Sequence, residues 1–301
     1  MATMDVRNPT IMARPGIASL NAVDQRMMQI VQSTTDSPAR DAAIYHLQTG
    51  GQRMRAKLAL ASASIQLQPD DAVTAAAACE LLHNASLIHD DISDRDTYRR
   101  GQETVRARFG EDIALCAGDL LMALSFQTAL AIEDRERGAA LLAALSDCAA
   151  RVIGGQSVEL GCQTAGKRVP LATYLAATRA KTAPLIELAI GIGLPERQKP
   201  MVRRLGEAIG LAYQILDDLD DLSHSEERPV HNAHLHPLHA IFHHRDGQGC
   251  LKHAQAALAR AARDRQVLPD PLANAVEGLL EKLQAKATQH QTAPLTVTTE
   301  V

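Results

Sequence analysis

Apolar positions recur every three to four residues along most of the chain, which is the spacing of one face of an α-helix. The clearest run extends from Asp71 to Asp91, contains neither Gly nor Pro, and ends in acidic residues. Similar runs rich in Ala and Leu cover residues 111–131, 138–164, 171–192, 201–222, 249–265 and 270–287. Clusters of charged residues, Gly and Pro separate these runs and are typical of turns. The pattern predicts eight to ten helices and almost no strand.

A single all-α domain is predicted, because no stretch between the helical runs resembles a flexible interdomain linker. We place this domain at residues 17–290. Residues 1–16 and 291–301 carry no strong helical pattern, so we expect them to be flexible ends.

The composition narrows the classes of function. Aromatic residues make up only 2% of the chain and Trp is absent, so bases are not expected to stack on aromatic side chains. The formal charge of −4 lacks the surplus of Lys and Arg that binding to a phosphate backbone requires. We therefore expect no nucleic-acid partner.

The cysteines and the apolar runs bear on location. Five Cys without a Cys-x-x-Cys pair indicate reduced thiols, not disulfides or a zinc site. No run reaches the roughly eighteen uncharged apolar residues of a membrane-spanning helix. The N-terminal stretch also lacks the apolar segment of a signal peptide. These features predict a cytoplasmic protein without a membrane span.

The sharpest chemical feature is a pair of acidic clusters, at residues 90–94 and 217–221, each at the C-terminal end of an apolar run. Residues four apart share one face of a helix, so the carboxylates of each cluster converge. Like charges near a helix C-terminus are unfavourable unless a cation binds them. Carboxylate oxygens suit Mg²⁺, which completes its shell with water and phosphate. One cluster would be typical of a solvated helix end, but two, each after an apolar run, favour the rim of a cleft.

Three segments contain residues suited to phosphate. They are Gly50-Gly51-Gln52-Arg53-Met54-Arg55, Arg99-Arg100-Gly101 and Lys181-Thr182. Arg offers a planar fork to phosphate oxygens, and Lys offers a point charge. Each segment alone is more typical of exposed cations at helix ends, whereas their order along the chain is more informative.

The ordered blocks resemble the trans-isoprenyl diphosphate synthases, also called polyprenyl synthases, and geranylgeranyl diphosphate synthases in particular. The blocks are GGQRMR, ELLHNASLIHDDISD, RRG, ETVRARFG, AGDLLMA, GGQSVEL, KTAPL and YQILDDLDD. The resemblance implies the isoprenoid synthase fold, a single-domain bundle of roughly ten or more mostly antiparallel helices around a deep central cavity. It also implies a homodimer, with the two acidic motifs facing each other across the mouth of the cavity.

The resemblance assigns roles to particular residues. Six carboxylates would be catalytic and would hold Mg²⁺, with three ions per site when substrate is bound: Asp90, Asp91, Asp94, Asp217, Asp218 and Asp221. The allylic diphosphate, which the metals ionise, would contact Arg99, Thr182, Gln214 and the catalytic Lys181. The isopentenyl diphosphate, whose double bond attacks the allylic cation, would lie against Gln52, Arg55, His83 and Arg100. Supporting groups near the mouth would be Gln156 and Glu159.

Two departures from the family pattern touch substrate charges. Gln52 stands where the family usually has Lys, and Arg53 would replace that cation only in part, because it projects about 100° away on a helix. After Asp221 the usual Gly-Lys-Pro stretch and a later Asp are missing. Arg228 is the candidate for that Lys, and Ala233 is the candidate position of the lost Asp.

The length of the product is predicted from the residues before the first acidic motif. Ala85 and Ser86 are small and leave the cavity below the motif open. This predicts a product of twenty carbons, geranylgeranyl diphosphate. Candidates for blocking residues deeper in the cavity lie near Leu81 and, on neighbouring helices, at Met122 and Phe126.

Two other functions stay open. A terpene synthase on the same scaffold would ionise one allylic diphosphate without isopentenyl diphosphate, and Gln52 favours it. Arg55, His83 and Arg100 argue against it, because a vacated isopentenyl site has no need for them. A noncatalytic subunit that modulates an active synthase would have no reason to retain both acidic motifs.

Overall fold

The computed structural model describes residues 18–164, 171–223 and 247–292. Eleven α-helices lie within these ranges: α1 Leu20–Gln32, α2 Pro38–Gln48, α3 Met54–Ala63, α4 Pro69–Ser93, α5 Val105–Phe109, α6 Glu111–Ala129, α7 Arg135–Thr164, α8 Leu171–Gly191, α9 Lys199–Ser223, α10 Gly247–Asp264 and α11 Asp270–Thr292. Short 3₁₀ turns at Glu196–Gln198 and Arg265–Val267 precede α9 and α11. The predicted all-α class is confirmed.

A small hairpin interrupts the helices between α4 and α5, where the sequence pattern gave no strand signal. Strands β1 (Tyr98–Arg99) and β2 (Gln102–Glu103) pair antiparallel. Arg100 and Gly101 form the turn and both have positive φ, 54° and 78°. This left-handed conformation at two successive residues is the geometry of a tight hairpin turn.

Side-chain caps explain several helix starts. The Ser37 hydroxyl accepts a hydrogen bond from the Arg40 N–H, and Pro38 fills the first position of α2, where no N–H is needed. The Thr104 hydroxyl accepts from the Ala107 N–H in the same way at the start of α5. These caps determine the residues at which α2 and α5 begin.

Helix α4 is the centre of the bundle. It is apolar nearly all the way round, as expected of a helix buried on every side, and it packs against α1, α3, α6 and α7. On the other side of the molecule α9 packs between α8 and α10. A single apolar cluster, made almost entirely of aliphatic residues, reaches from Val23 in α1 to Ala287 in α11. The core is therefore aliphatic, in keeping with an aromatic content of only 2%.

The outer helices α6 and α7 are more apolar than the sequence analysis allowed for. Residues Glu111–Ala129 and Arg135–Gly161 are long and apolar enough to cross a membrane by length and composition. Both helices nevertheless pack against α4 and against each other. Core helices of bundles pass the same test, so these two are weak grounds for a membrane span.

The predicted flexible ends lie mostly outside the residues that the structure describes. Residues 1–16 and 293–301 lie outside the described residues, while Gln291 and Thr292 still belong to α11. The boundaries at 17 and 290 therefore stay predictions.

Candidate active site

The first acidic cluster lies where α4 ends. Asp90 and Asp91 occupy its last turn, and Asp94 caps the helix by donating its N–H to the carbonyl of Asp90. The Asp91 carboxylate is only 1% exposed and accepts a hydrogen bond from Arg99 Nε at 2.7 Å. Arg99 lies on β1, so the β1–β2 hairpin places a cation against the C-terminal end of α4.

Burial dominates the electrostatics of this cluster. It raises the pKa of Asp91 to about 6, although the Arg99 guanidinium opposes the shift. It raises the pKa of Asp94 to about 7, against the Lys181 ammonium and with the Asp90 carboxylate adding to the rise. Burial also raises the pKa of Asp90. The nearby cations thus compensate this group of carboxylates incompletely, and a further cation is favoured there.

The second acidic cluster lies near the end of α9. Its Asp218 is buried and accepts a hydrogen bond from Gln214 Nε2 at 2.8 Å. The Gln214 Oε1 accepts in turn from the Thr182 hydroxyl at 3.0 Å, which connects α9 to α8. The side chain of Asp221 lies outside the described residues.

Lys181 lies between the two clusters. Its Nζ is 3.6 Å from Asp90 Oδ1 and 3.6 Å from Glu159 Oε2. Burial opposes its charge, but carboxylates of both clusters, including Asp90 and Asp218, raise the pKa of Lys181. The structure therefore brings the two acidic motifs to one place, with Lys181 and Thr182 beside them.

Two further residues at the second cluster escaped the sequence analysis. The Lys286 Nζ on α11 is 3.2 Å from Asp217 Oδ1 and 2.7 Å from Asp220 Oδ2. The His290 Nε2 is 2.6 Å from Asp220 Oδ1. Nothing in the local sequence of α11 signals these contacts, because they depend on how the last described helix packs against α9.

Of the residues predicted for the isopentenyl side, Arg55 and His83 form a buried pair, while Gln52 and Arg100 are exposed. Arg100 Nη1 donates to the carbonyl of Gly50. Arg55 Nη1 donates to His83 Nε2 at 3.1 Å, and both side chains are buried. Burial and the neighbouring Arg55, Arg100 and Arg99 lower the pKa of His83, so its imidazole is neutral. Arg55 Nε and His83 Nδ1 are buried without a hydrogen-bond partner. Unsatisfied buried donors of this kind suit an anionic ligand.

Arg53, which was expected to replace the missing Lys in part, is held by other groups. Its side chain is held by Asp24 at 2.7 Å, by Glu80 at 3.5 Å and by the carbonyl of Leu47 at 3.2 Å. Arg53 precedes α3 in a left-handed conformation with φ 49°. It is therefore not available to replace the missing Lys, and Gln52 is left exposed without a cation in its place.

His46 on α2 is a second imidazole that the sequence did not reveal. It is buried, and its Nε2 has no hydrogen-bond partner. Burial, together with Arg99 and Arg100, lowers the pKa of His46 to about 3. A His on an apolar helix face is most often part of the core, so only the fold shows that it lies near these cations.

Of the predicted supporting groups, Glu159 contacts Lys181, and Gln156 has both amide atoms buried without a partner. The unsatisfied amide of Gln156 is therefore a candidate for hydrogen bonds to a ligand.

The donor set fits Mg²⁺. Within the described ranges, no three His, Cys, Asp or Glu side chains converge enough to hold a metal ion by themselves. Mg²⁺ does not require this, because it takes one or two carboxylates and completes its shell with water and substrate phosphate. Asp90, Asp91 and Asp94 supply hard oxygen donors in surroundings that favour a cation. Arg228 and Ala233 lie outside the described residues.

A narrow cavity of about 30 Å³ lies below the first cluster, room for about one water molecule. Its lining comes from four helices: Leu82, Ala85, Ser86, His89, Met122, Ala149, Val152, Ile153 and Leu185. Ala85, Ser86 and Met122 line it as predicted. The deeper residue on α4 is Leu82, next to Leu81, which is fully buried in the core. Phe126 packs on the core and does not line this cavity.

Relatives of known name share much of this chain. The short chain isoprenyl diphosphate synthase of Methanocaldococcus jannaschii is 35% identical over 67% of this chain and 63% of its own length. The geranylgeranyl diphosphate synthase of Methanosarcina mazei is 32% identical over 68% of this chain and 65% of its own length. The chain thus matches somewhat less than two thirds of each of these relatives.

Solved structures share the fold over most of the chain. The geranylgeranyl pyrophosphate synthetase from the archaeon Geoglobus acetivorans has a TM-score of 0.75 and 24% identity, covering 87% of this chain and 97% of that one. A decaprenyl diphosphate synthase from Rhodobacter capsulatus has a TM-score of 0.75 and 23% identity, covering 89% and 96%. At such identities the likeness shows the fold alone. The sequence model of the polyprenyl synthetase family matches residues 37–232, well over half of the chain. The chain therefore belongs to the polyprenyl synthetase family.

Proposed function

We propose that this protein is a Mg²⁺-dependent trans-prenyltransferase that joins isopentenyl diphosphate head-to-tail to an allylic diphosphate. The observation that carries the proposal is the position of Lys181 between two acidic clusters, together with the separate buried pair of Arg55 and His83. Two neighbouring anion-binding places, only one of them lined by metal-binding carboxylates, suit two different diphosphate substrates.

The residues divide the work between the two substrates. Mg²⁺, when bound, would supply Lewis-acid chemistry that stabilises negative charge on the leaving diphosphate. The proposed metal ligands are Asp90, Asp91, Asp94, Asp217, Asp218 and Asp221. Lys181 and Arg99 hold the leaving diphosphate by charge, and the Thr182 hydroxyl, oriented by Gln214, adds a hydrogen bond.

The isopentenyl diphosphate binds on the other side, against Arg55, His83 and Arg100, with Gln52 at the exposed edge. Its double bond then forms the new carbon–carbon bond with the allylic cation. The proton lost from the adduct goes to the departing diphosphate. Apolar walls below the first cluster keep water away from the cation until that bond has formed.

The names of the relatives support this reaction class, and the site residues favour it over the alternatives. A terpene synthase would not need the buried pair of Arg55 and His83. A noncatalytic subunit would not need the charged environment around Lys181. One relative, the heptaprenyl diphosphate synthase component 2 of Geobacillus stearothermophilus, is 32% identical over 69% of this chain and 65% of its own length. Its name indicates a multicomponent enzyme, so a partner subunit is the second candidate assembly.

We place the face of a homodimer on the outer side of α6 and α7. Leu115 on α6 and Ile153 and Val158 on α7 are large apolar side chains that are more than half exposed. A second copy of the chain would cover them. Sedimentation of the purified protein measures whether it is a dimer in solution. A reducing compartment such as the cytoplasm suits the reduced thiols of Cys79, Cys116, Cys148 and Cys250.

A twenty-carbon product, geranylgeranyl diphosphate, is the proposed end point. Small Ala85 and Ser86 leave space directly below the first cluster, but the cavity of about 30 Å³ must widen as the chain grows. Met122 and Leu82 are the side chains that would move. Changing Ala85 to Phe should therefore shorten the product, as measured by mass spectrometry. An unchanged product distribution would show that Ala85 does not line the path of the growing chain.

The test of the reaction is mass spectrometry of products made with Mg²⁺ and isopentenyl diphosphate. Dimethylallyl, geranyl and farnesyl diphosphate are offered in turn as the allylic substrate. A longer prenyl diphosphate establishes the proposed reaction and gives the chain length. Release of hydrocarbon or alcohol without consumption of isopentenyl diphosphate would make the protein a terpene synthase. No turnover of either substrate would favour the noncatalytic subunit.

A further inference from the structure

A second cavity opens between α8, α9 and α10, outside the proposed active site, and its volume is about 420 Å³. Its charged lining consists of Arg179, Arg204, Glu207, Arg260, Arg263 and Asp264. Small-molecule sites in proteins have volumes of about 300 to 1,000 Å³. The cavity is therefore large enough for a ligand of that kind.

Positive charge predominates in this cavity. Arg204 approaches Asp264 at 3.8 Å, while Glu207 pairs at 3.3 Å with Arg203, which does not line the cavity. The remaining guanidinium groups, those of Arg179, Arg260 and Arg263, form no ion pair within the described part of the chain. Three unpaired guanidinium groups thus share one concave site.

The register of three helices brings these side chains together. Arg260 and Arg263 are three residues apart and share one face of α10. Arg204, Glu207 and Leu211 recur at helical spacing along one face of α9. Arg179 precedes Lys181 by two positions on α8 and therefore points about 200° away from it. The cavity and the proposed active site accordingly lie on different sides of α8.

We propose that this cavity is a second binding site for a phosphate-bearing anion. Guanidinium groups bind phosphate oxygens through paired, charge-assisted hydrogen bonds, and three free ones match a group with two or more negative charges. Buried Ala208 and Leu211 form an apolar wall beside them. The shared chemistry is a diphosphate group, supplied either by inorganic diphosphate or by a prenyl diphosphate whose hydrocarbon lies on this wall.

The test is calorimetric titration with inorganic diphosphate in the absence of divalent metal. The parent protein for this test carries Arg99→Ala and Lys181→Ala on the allylic side and Arg55→Gln and Arg100→Ala on the isopentenyl side. These substitutions weaken binding at both diphosphate places of the proposed active site. We expect this parent to bind one equivalent. Adding Arg260→Ala and Arg263→Ala should lower the affinity about tenfold or more, because two charge-assisted contacts are lost.

The matched control removes two exposed cations that do not line the cavity, through Arg197→Ala and Lys252→Ala in the same parent. Binding within about twofold of the parent is expected, since distant surface charges are screened. If the parent binds no diphosphate, or if the control loses as much affinity as the cavity variant, the proposal is wrong. All four substituted side chains are exposed, and thermal melting verifies that the variants fold.

Geranyl diphosphate, titrated in the same way, distinguishes the two sources. Tighter binding than inorganic diphosphate assigns the site to a prenyl diphosphate, and equal binding assigns it to the diphosphate group alone. Because no turnover is measured, the result is independent of the proposed reaction. If the protein does not catalyse that reaction, the proposal of a second binding site is unaffected. If the second site does not bind diphosphate, the proposed reaction is unaffected.

Discussion

The two acidic clusters share a sequence pattern but lie in different surroundings. In the first cluster Asp91 is 1% exposed, and its cation Arg99 comes from the adjacent hairpin. In the second cluster Asp218 is also buried, but the side chains of Asp217 and Asp220 are 51% and 39% exposed, and their cation Lys286 comes from α11. The cation of the first cluster therefore pairs with a buried carboxylate, while that of the second pairs with partly exposed ones.

The helices that carry the clusters explain the difference. Helix α4 is buried on nearly every side, so carboxylates at its end lose water and their pKa values rise. Helix α9 buries one face between α8 and α10, and Asp217 and Asp220 lie on the more open part of its surface. A repeated motif thus does not imply a repeated electrostatic environment. The following tests separate the two clusters.

The largest expected effect is on turnover. Asp90→Ala and Asp217→Ala should each reduce turnover by about a thousandfold or more, because both carboxylates are proposed to serve the same metal ions. Steady-state product formation measures this, and circular dichroism should show an intact helical fold. Glu136→Ala, at an exposed site at the start of α7, is the control. Unchanged turnover in either Asp variant would remove that cluster from the active site.

The next effect is on the free energy of unfolding. Arg99→Ala leaves the buried Asp91 without its cation and should cost about 2 to 3 kcal/mol. Lys286→Ala breaks partly exposed pairs and should cost less than about 1 kcal/mol. Urea unfolding at pH 7.5 measures both, with the exposed Lys282→Ala as the control for Lys286. Equal losses would mean that burial does not distinguish the clusters.

A smaller effect is on the pH dependence of the free energy of unfolding, which tests the burial of His46. The unfolded chain protonates His46 below about pH 6.5, whereas the folded chain keeps it neutral because its pKa is about 3. Acidification therefore favours unfolding, and His46 should contribute about 1 kcal/mol of lost stability between pH 7.0 and 5.5. His46→Asn should remove that share of the loss in urea unfolding. The exposed His253→Asn is the control, and an unchanged pH dependence in His46→Asn would contradict the burial of His46.

The smallest effect concerns metal affinity at the second cluster. Without diphosphate, the Lys286 ammonium competes with Mg²⁺ for Asp217 and Asp220. Lys286→Ala should raise the affinity for Mg²⁺ about two- to fivefold, in line with the modest strength of exposed pairs. Calorimetric titration with Mg²⁺ measures this, and Lys282→Ala should leave the affinity unchanged. A lower affinity in Lys286→Ala would show that Lys286 does not compete with the metal.

Local patterns were enough to predict the long helices, because the apolar spacing located them. The candidate site residues came from the resemblance to the family, and of these Lys181, Thr182 and Gln214 lie near the acidic motifs. Spacing alone did not identify which residue near Leu81 lines the cavity, because one residue along a helix turns the side chain by about 100°.

Contacts between distant segments could not be predicted in this way. Lys286 meets its carboxylates only through the packing of α11 on α9. Arg53 was considered as part of a helix, but it precedes α3 in a left-handed conformation and turns to Asp24 and Glu80. The β1–β2 hairpin was missed because two-residue strands carry no periodicity.

The positions of the two cation partners also set an order of events during synthesis. Asp91 and Arg99 are 8 residues apart, so the ribosome makes both almost at once. Asp217 must wait for Lys286, which follows it by 69 residues. At about 5 to 20 residues per second, that delay is about 3 to 14 s. A nascent chain therefore already contains the Asp91–Arg99 pair while Asp217 still lacks its lysine, and closure by α11 is among the last steps of assembly.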